Sequence, residues 1–310
     1  MKKSKRILFF GNERLATGVS TKTPIFSGLI DAGYDIAALV ISQDGFGTDK
    51  KLREPEIIGL AKQHGIKIIS PVKLGDAIDE IKSLKAEAAV LVAFGKIVPQ
   101  EVLDIFPIGI INVHPSLLPL HRGPTPIESV MRSGETKSGV SIMKLSRGMD
   151  SGPIYAQKQI KLEGNETKQA LTEKLNLLGR DMILANLEEI LQRKLQAQNQ
   201  PDSGATYDKL LTKQDGQIDW NEHAVQIERN IRAFSGWPRS KTTLNGIDLT
   251  ITEAHVDAFS GAPGEIQLID DQIAICAING GLILDKVIPS GKNEMPGSSF
   301  LLGYKDRLLN

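Results

Sequence analysis

The sequence predicts an α/β chain in which a doubly wound, mainly parallel sheet is followed by a small antiparallel β-barrel. Between residues 6 and 114, short apolar runs alternate with segments of helical spacing, an order typical of parallel strands joined by helical crossovers. Beyond residue 207, one helical segment precedes strand-like runs separated by turn signals such as Asn245-Gly246 and Asn279-Gly280. With 310 residues and 41% hydrophobic content, the chain is long enough for two domains.

Short, almost continuously apolar runs in the first part suit strands that are buried on both faces. They occupy residues 6–11, 34–42, 66–70, 87–95 and 109–114. The intervening segments have apolar residues at three- and four-residue spacing and end near Gly or Lys, as helices do. They occupy residues 23–33, 54–65 and 72–85. Such sheets bind ligands beyond the carboxyl ends of their strands, so we expect the functional site there.

The remainder of the chain divides at a polar segment. Residues 139–145 and 152–162 are further strand candidates, and residues 167–194 form a long helical stretch. The segment that follows is polar and contains Pro and Gly, which indicates a linker. The predicted organisation is a first domain at 1–194, a linker at 195–206 and a second domain at 207–310.

Composition and charge exclude several classes of protein. Lys plus Arg and Asp plus Glu each number 37, so a strongly basic nucleic-acid binder is not indicated. The single cysteine, Cys276, cannot form an intramolecular disulfide, which favours a reducing compartment. No apolar stretch reaches the roughly 20 residues of a membrane span, and the histidines show no metal-ligand spacing. We therefore expect a cytoplasmic protein, a monomer, with no membrane contact and no metal.

A polar cluster interrupts the apolar pattern at the end of the fifth strand candidate. Asn112 and His114 are two residues apart, so they point to the same face of a strand, and Pro115 stops that strand. Asp150 lies between glycines in a second candidate loop. An amide and a protonated imidazole can donate to an oxyanion, while a carboxylate can orient the histidine and accept a proton from an amine. The cluster suits acyl transfer to an amine, although strand-end capping and a simple turn explain the same residues.

The longer strings around these residues are more specific. "INVHPSLLPLHRGPTPI", followed by "SGVSIMKLSRGMDSGPI", resembles the folate-dependent formyltransferases that use 10-formyltetrahydrofolate. "VLVAFGKIVP" matches as well, and "YDKLLTKQDGQIDW" and "IRAFSGWP" are similar to the C-terminal domain of the members that formylate methionyl-tRNA. The resemblance covers nearly the whole chain. It implies a Rossmann-like catalytic domain followed by an OB-like barrel.

The resemblance also implies a reaction and roles for single residues. Asn112, His114 and Asp150 would be catalytic, 10-formyltetrahydrofolate the formyl donor, and initiator methionyl-tRNA the acceptor, for translation initiation. The implied folate contacts are Phe94, Gly95, Ser116, Leu117, Leu118 and Pro119. We expect the loop at 116–119 to present free backbone groups to the pterin, with apolar side chains as walls of the pocket.

A tRNA acceptor would be bound through its phosphates, so basic side chains are the candidates. They are Lys50, Lys51 and Arg53 in the first domain, and Arg229, Arg232, Arg239 and Lys241 in the second. Residues 207–310 nevertheless hold 10 Lys and Arg against 14 Asp and Glu. Two alternatives therefore stay open: a formyltransferase acting on a nucleotide-sugar amine, and a non-catalytic folate- or RNA-binding protein.

Overall fold

A seven-stranded sheet organises the first part of the chain in the computed structural model, which describes residues 6–20, 22–42 and 55–309. Its strands are β1 (Arg6–Gly11), β2 (Asp35–Val40), β3 (Lys67–Ile69), β4 (Ala88–Val92), β5 (Gly109–His114), β6 (Lys137–Lys144) and β7 (Ile154–Lys161). Their spatial order is β3-β2-β1-β4-β5-β6-β7. Strands β1 to β5 are parallel, whereas β6 runs antiparallel to both β5 and β7. The predicted mainly parallel sheet is confirmed.

Helices cover both faces of this sheet and bury its apolar side chains. They are α1 (Pro24–Asp31), α2 (Glu56–Gln63), α3 (Ile78–Ser83), α4 (Gln100–Leu103), α5 (Pro126–Ser133) and α6 (Lys168–Leu191). One core contains side chains of α1, α2, α5 and α6, and the core on the other face contains side chains of α3 and α4. A Cβ at Gly179 of α6 would lie 2.8 Å from Val113 of β5, so the glycine lets the helix pack closely behind the end of that strand.

The connection between β1 and α1 is held by buried polar groups. The Glu13 carboxylate accepts hydrogen bonds from the backbone N–H groups of Ile25 and Phe26, at 2.9 and 2.6 Å, in the first turn of α1. Burial raises the pKa of Glu13 to about 8, against the lowering effect of these two hydrogen bonds. Further along the connection, the Lys168 ammonium donates to the Thr17 carbonyl at 2.8 Å. Residues 12–20 are therefore packed against the first domain.

The second part of the chain contains an antiparallel sheet and two helices. Its strands are β8 (Ser240–Leu244), β9 (Ile247–Asp257), β10 (Ile266–Ile269), β11 (Gln272–Ala277), β12 (Gly280–Pro289) and β13 (Met295–Pro296), with α7 (Ala224–Ala233) before them and α8 (Gly297–Leu309) after them. The spatial order is β10-β11-β12-β9-β8, and β13 pairs with β12. The predicted antiparallel character is confirmed, while closure into an OB-like barrel stays a prediction.

Helix α7 connects the two parts of the chain. Ile227 and Ile231 belong to the core of the second part, whereas the adjoining Phe234 is buried in the core of the first. The Arg132 guanidinium of α5 donates to Asn230 of α7 at 3.0 Å and stacks on the Phe234 ring at 5.0 Å. Among the helices of the described ranges, none combines the length and apolar character that crossing a membrane requires.

Candidate active site

The end of β5 carries the two polar side chains that the sequence singles out. Asn112 and His114 are buried, at 6% and 5% exposure, and their spacing on the strand places them on one face of the sheet. Asn112 lies opposite Met143 of β6, and His114 lies opposite Ser141. Within the described residues the Asn112 amide has no hydrogen-bond partner, so its donors are available to a ligand.

Both nitrogens of the His114 ring have a defined neighbour. Nε2 lies 2.9 Å from the carbonyl oxygen of His121. Because a carbonyl only accepts, Nε2 carries a hydrogen. Nδ1 faces the Asp150 carboxylate, with 3.8 Å between Nδ1 and Oδ2. Nε2 therefore holds the ring in place, while Nδ1 is directed at the Asp150 carboxylate.

Asp150 is fixed by its own loop and by the loop that follows β5. Its Oδ2 accepts a hydrogen bond from the Gly123 N–H at 2.8 Å, and its φ of 45° is a left-handed conformation that few non-glycine residues adopt. A Cβ at Gly152 would overlap the Lys144 carbonyl, so the loop requires glycine there. The structure thus brings His114 and Asp150 together, as the sequence predicts, while their catalytic roles stay predictions.

The loop at 116–119 differs from the expectation that its backbone groups are free for a pterin. The Ser141 hydroxyl donates to the Ser116 carbonyl at 2.6 Å and accepts from the Leu118 N–H at 3.1 Å. The Gln157 amide donates to the Leu118 carbonyl at 2.7 Å and to Ser141 Oγ at 2.9 Å. These hydrogen bonds attach the loop at 116–119 to β6 and β7. Its contribution to donor binding would then come from its shape and side chains rather than from these backbone groups.

The other predicted folate-contacting residues lie near this loop or after β4. Leu118 is buried, Leu117 and Pro119 are half-buried, and the Leu118–Pro119 peptide is cis. Phe94 is buried against Phe10, with ring centroids 5.5 Å apart, and Gly95 beside it has a φ of 74°. Phe94 therefore belongs to the apolar core on one face of the sheet, and its direct contact with folate stays a prediction.

Residues 198–208, called the strap below, cross the two loops of the site. Gln198 exchanges backbone hydrogen bonds of 2.7 and 2.8 Å with Ile154. Farther along, Arg122 bonds through its backbone with Thr206 at 2.9 Å and with Asp208 at 2.8 Å. The sequence predicts a linker at 195–206, and the structure shows that Gln198, Gln200 and Thr206 of this segment bond to the two loops of the site or to the start of β7.

An ionic cluster joins the strap to the loop after β5. The His121 ring lies between two carboxylates, with Nδ1 at 3.2 Å from Asp208 Oδ2 and Nε2 at 2.9 Å from Glu135 Oε1. Burial lowers the pKa of His121, but hydrogen bonds and the charges of Asp208 and Glu135 outweigh it, so the net shift is upward. The backbone carbonyl of this same residue holds His114. The sequence does not reveal the role of His121 in this cluster, because Asp208 and His121 are far apart along the chain.

The basic residues predicted to bind phosphate lie in different surroundings. Arg232 pairs with Glu228 and donates to the Glu166 carbonyl at 2.9 Å, so its guanidinium is occupied between the two parts of the chain. Arg229 packs over Gly134 at the end of α5. Arg239 is exposed and Lys241 is partly exposed, whereas Lys50, Lys51 and Arg53 lie outside the described residues.

Comparison with known proteins defines the family. Residues 15–187 match the formyl transferase family and residues 210–305 match the formyl transferase C-terminal domain. The chain belongs to the formyl transferase family.

Relatives within that family are similar along nearly their whole length. The methionyl-tRNA formyltransferase of Geobacter sulfurreducens is 33% identical over 304 residues, which are 97% of this chain and 94% of the relative. That of Chloroflexus aggregans is 36% identical over 306 residues, 96% of this chain and 97% of the relative.

Solved structures share the fold at lower identity. HypX from Aquifex aeolicus in complex with tetrahydrofolic acid matches with a TM-score of 0.67 and 16% identity, over 97% of this chain and 48% of that chain. The N-formyltransferase from Helicobacter canadensis, in complex with folinic acid and dTDP-3-aminofucose, matches with a TM-score of 0.66 and 18% identity, over 92% of this chain and 99% of that chain. These similarities support the fold.

Proposed function

We propose that this chain transfers the formyl group of 10-formyltetrahydrofolate to the amino group of initiator methionyl-tRNA. The similarity to methionyl-tRNA formyltransferases carries this proposal, because it extends over both the sheet domain and the C-terminal domain at 33–36% identity. A cytoplasmic monomer is part of the proposal. The enzyme of Helicobacter canadensis with a bound nucleotide sugar is 18% identical, which supports a shared fold rather than a shared acceptor.

The arrangement around β5 supports a direct attack of the amine on the formyl carbon. The Asn112 amide, which has no partner within the described residues, donates to the formyl oxygen as negative charge develops there. The His114 ring lies at the same edge of the sheet, with Nε2 bonded to the His121 carbonyl and Nδ1 directed at Asp150. Donors placed where an oxyanion forms are worth about 10²–10³-fold in rate each. Asn112 therefore stabilises the transition state, and His114 lies beside the carboxylate that takes part in the proton transfer.

Asp150 completes the proton transfer. Its carboxylate lies 3.8 Å from His114 Nδ1, a distance that one water or the attacking amine can bridge. As the C–N bond forms, the amine loses a proton to Asp150, directly or through water, and the bond between the formyl carbon and the donor nitrogen breaks. The departing nitrogen then takes up a proton. The bound donor supplies only the formyl group, and all acid–base work falls to the side chains.

The acceptor is tested with labelled donor and a panel of amines. The purified chain is given 10-formyltetrahydrofolate labelled in the formyl carbon, with charged initiator tRNA, uncharged tRNA, or nucleotide-linked amino sugars. Label in the aminoacyl product only with charged tRNA supports the proposal. Label on an amino sugar, with charged tRNA unmodified, would overturn it in favour of the sugar acceptor.

A further inference from the structure

We propose that Gln200 of the strap is a positioning residue for Asp150, and through it for the proton-transfer step. The inference rests on the proposed function, because it assigns Gln200 to the same reaction. Gln200 lies in the polar segment that the sequence marks only as a linker, and its side chain is partly buried between the two loops of the site.

The Gln200 carboxamide uses its full hydrogen-bonding capacity. Its Oε1 accepts from Arg122 Nε at 3.0 Å and from Arg122 Nη2 at 2.8 Å. Its Nε2 donates to the Asp150 carbonyl at 2.8 Å and to the Gly152 carbonyl at 2.7 Å. An amide offers two donors and two acceptor sites, so every one of them is engaged. A single side chain thus ties the loop after β5 to the loop that carries Asp150.

These bonds close a ring around the catalytic carboxylate. Gln200 holds the Asp150 carbonyl, and Arg122 holds Gln200. The neighbour of Arg122 in the chain, Gly123, donates its N–H to Asp150 Oδ2 at 2.8 Å. The other neighbour, His121, accepts from His114 Nε2 at 2.9 Å. The backbone at 121–123 therefore fixes both reacting side chains, and Gln200 fixes that backbone relative to Asp150.

Arg122 makes this arrangement sensitive to Gln200. The arginine is 2% exposed, and within the described residues its guanidinium contacts only neutral partners. Besides Gln200 these are the Tyr207 hydroxyl, at 2.7 Å from Nη1, and the Tyr207 ring, whose centroid is 5.5 Å from Cζ. Loss of Gln200 leaves two buried N–H donors without an acceptor, a state that proteins avoid by shifting their backbone.

The left-handed backbone of Asp150 is a second reason to expect that its position depends on Gln200. At a φ of 45°, the residue occupies a left-handed conformation, which surrounding contacts help to hold. The two hydrogen bonds from Gln200 flank this residue at the carbonyls of positions 150 and 152. Without them Asp150 is free to relax, and its carboxylate moves away from His114. A misplacement of about 1 Å at a reacting group can cost on the order of 10²-fold in rate.

The most informative substitution is Gln200→Glu. Glutamate keeps the acceptor for Arg122 but replaces the two donors with an oxygen that repels the carbonyls of Asp150 and Gly152. We expect kcat to fall about 10-fold or more, while KM for methionyl-tRNA and affinity for the folate donor change less than about 3-fold. Gln198→Glu is the matched control, because Gln198 is exposed on the same strap and bonds to Ile154 through its backbone.

A double-mutant cycle with Asp150→Asn separates positioning from general damage. If Gln200 acts through Asp150, Gln200→Glu costs little further activity once Asp150 is neutralised, because residues that act as a unit are not additive. Equal losses in both backgrounds, or near-normal kcat for Gln200→Glu alone, would overturn the assignment. Should Gln200→Glu not fold, the same cycle with Gln200→Asn applies, with the same expectation. An inactive unmodified chain would instead contradict the proposed function itself.

Discussion

Asp150→Asn tests the proton-transfer step with little change in shape. In the unmodified chain the Gly123 N–H lies 2.8 Å from Asp150 Oδ2. Asparagine keeps an oxygen that can accept this hydrogen bond, and it tolerates a left-handed backbone. The substitution removes the negative charge that lies 3.8 Å from His114 Nδ1 and the capacity to take a proton. General base catalysis contributes about 10²–10⁴-fold, or about 3–5 kcal/mol of activation free energy. We expect kcat to fall on the order of 10²-fold or more, with donor binding unchanged.

The assay is steady-state formylation of charged initiator tRNA with labelled donor, combined with calorimetric titration of the folate. Asp270→Asn is the matched control, because Asp270 also has a positive φ, 49°, but follows β10 in the second part of the chain. Asp270→Asn should retain full turnover. Near-normal kcat for Asp150→Asn would remove Asp150 from the mechanism, and loss of donor binding would show that the carboxylate supports the fold of the pocket instead.

Further predictions concern the groups around the site. The pKa of His121 is raised in the fold, so its charge stabilises the protein below about pH 6.5 and this stabilisation is lost as pH rises through the raised value. Asp208→Asn should therefore lower the free energy of unfolding most at acidic pH, and a pH-independent deficit in chemical denaturation would contradict this. Ser141→Ala should weaken donor binding, because it frees the loop at 116–119, with kcat at saturating donor nearly unchanged; unaltered affinity in titration would count against it. The pKa of Glu13 is about 8 in the fold. Between its ordinary pKa and this raised value, the carboxyl group is protonated in the folded chain and ionised in the unfolded chain. Stability should therefore fall between about pH 4.5 and 8, and Glu13→Gln should abolish this component of the pH profile. Activity should survive a strong chelator, and loss restored by zinc would refute the expectation of a metal-free reaction.

Much of the site follows from local sequence. The strand β5 spans Gly109–His114 as predicted, because an almost continuously apolar run ends at a proline that cannot continue the sheet. The two-residue spacing of Asn112 and His114 then fixes their shared face. The glycines around Asp150 mark a loop whose close approach to Lys144 excludes larger residues. Each of these signals acts within a few residues, so the sequence alone reveals it.

The strap could not be predicted in the same way. Gln200 bonds to Arg122 across 78 residues, and Arg122 reaches Tyr207 across 85. A polar segment containing Pro and Gly reads as a linker whether or not its side chains are engaged. The predicted boundary at 207 also assigns Tyr207 and Asp208 to the second domain, although both contact the loop after β5. Helix α8 is likewise not predicted from the sequence, and its Phe300 is buried in the second core.

The most direct test of the central claim is the kcat for formylation of charged initiator methionyl-tRNA by this chain and by Asn112→Asp. The substitution keeps the shape of Asn112 but replaces its free donors with a negatively charged acceptor where the oxyanion forms. The account predicts efficient formylation by the unmodified chain and a loss of about 10²-fold or more in the variant. A chain that leaves methionyl-tRNA unmodified, or a variant that turns over at the unmodified rate, would contradict it.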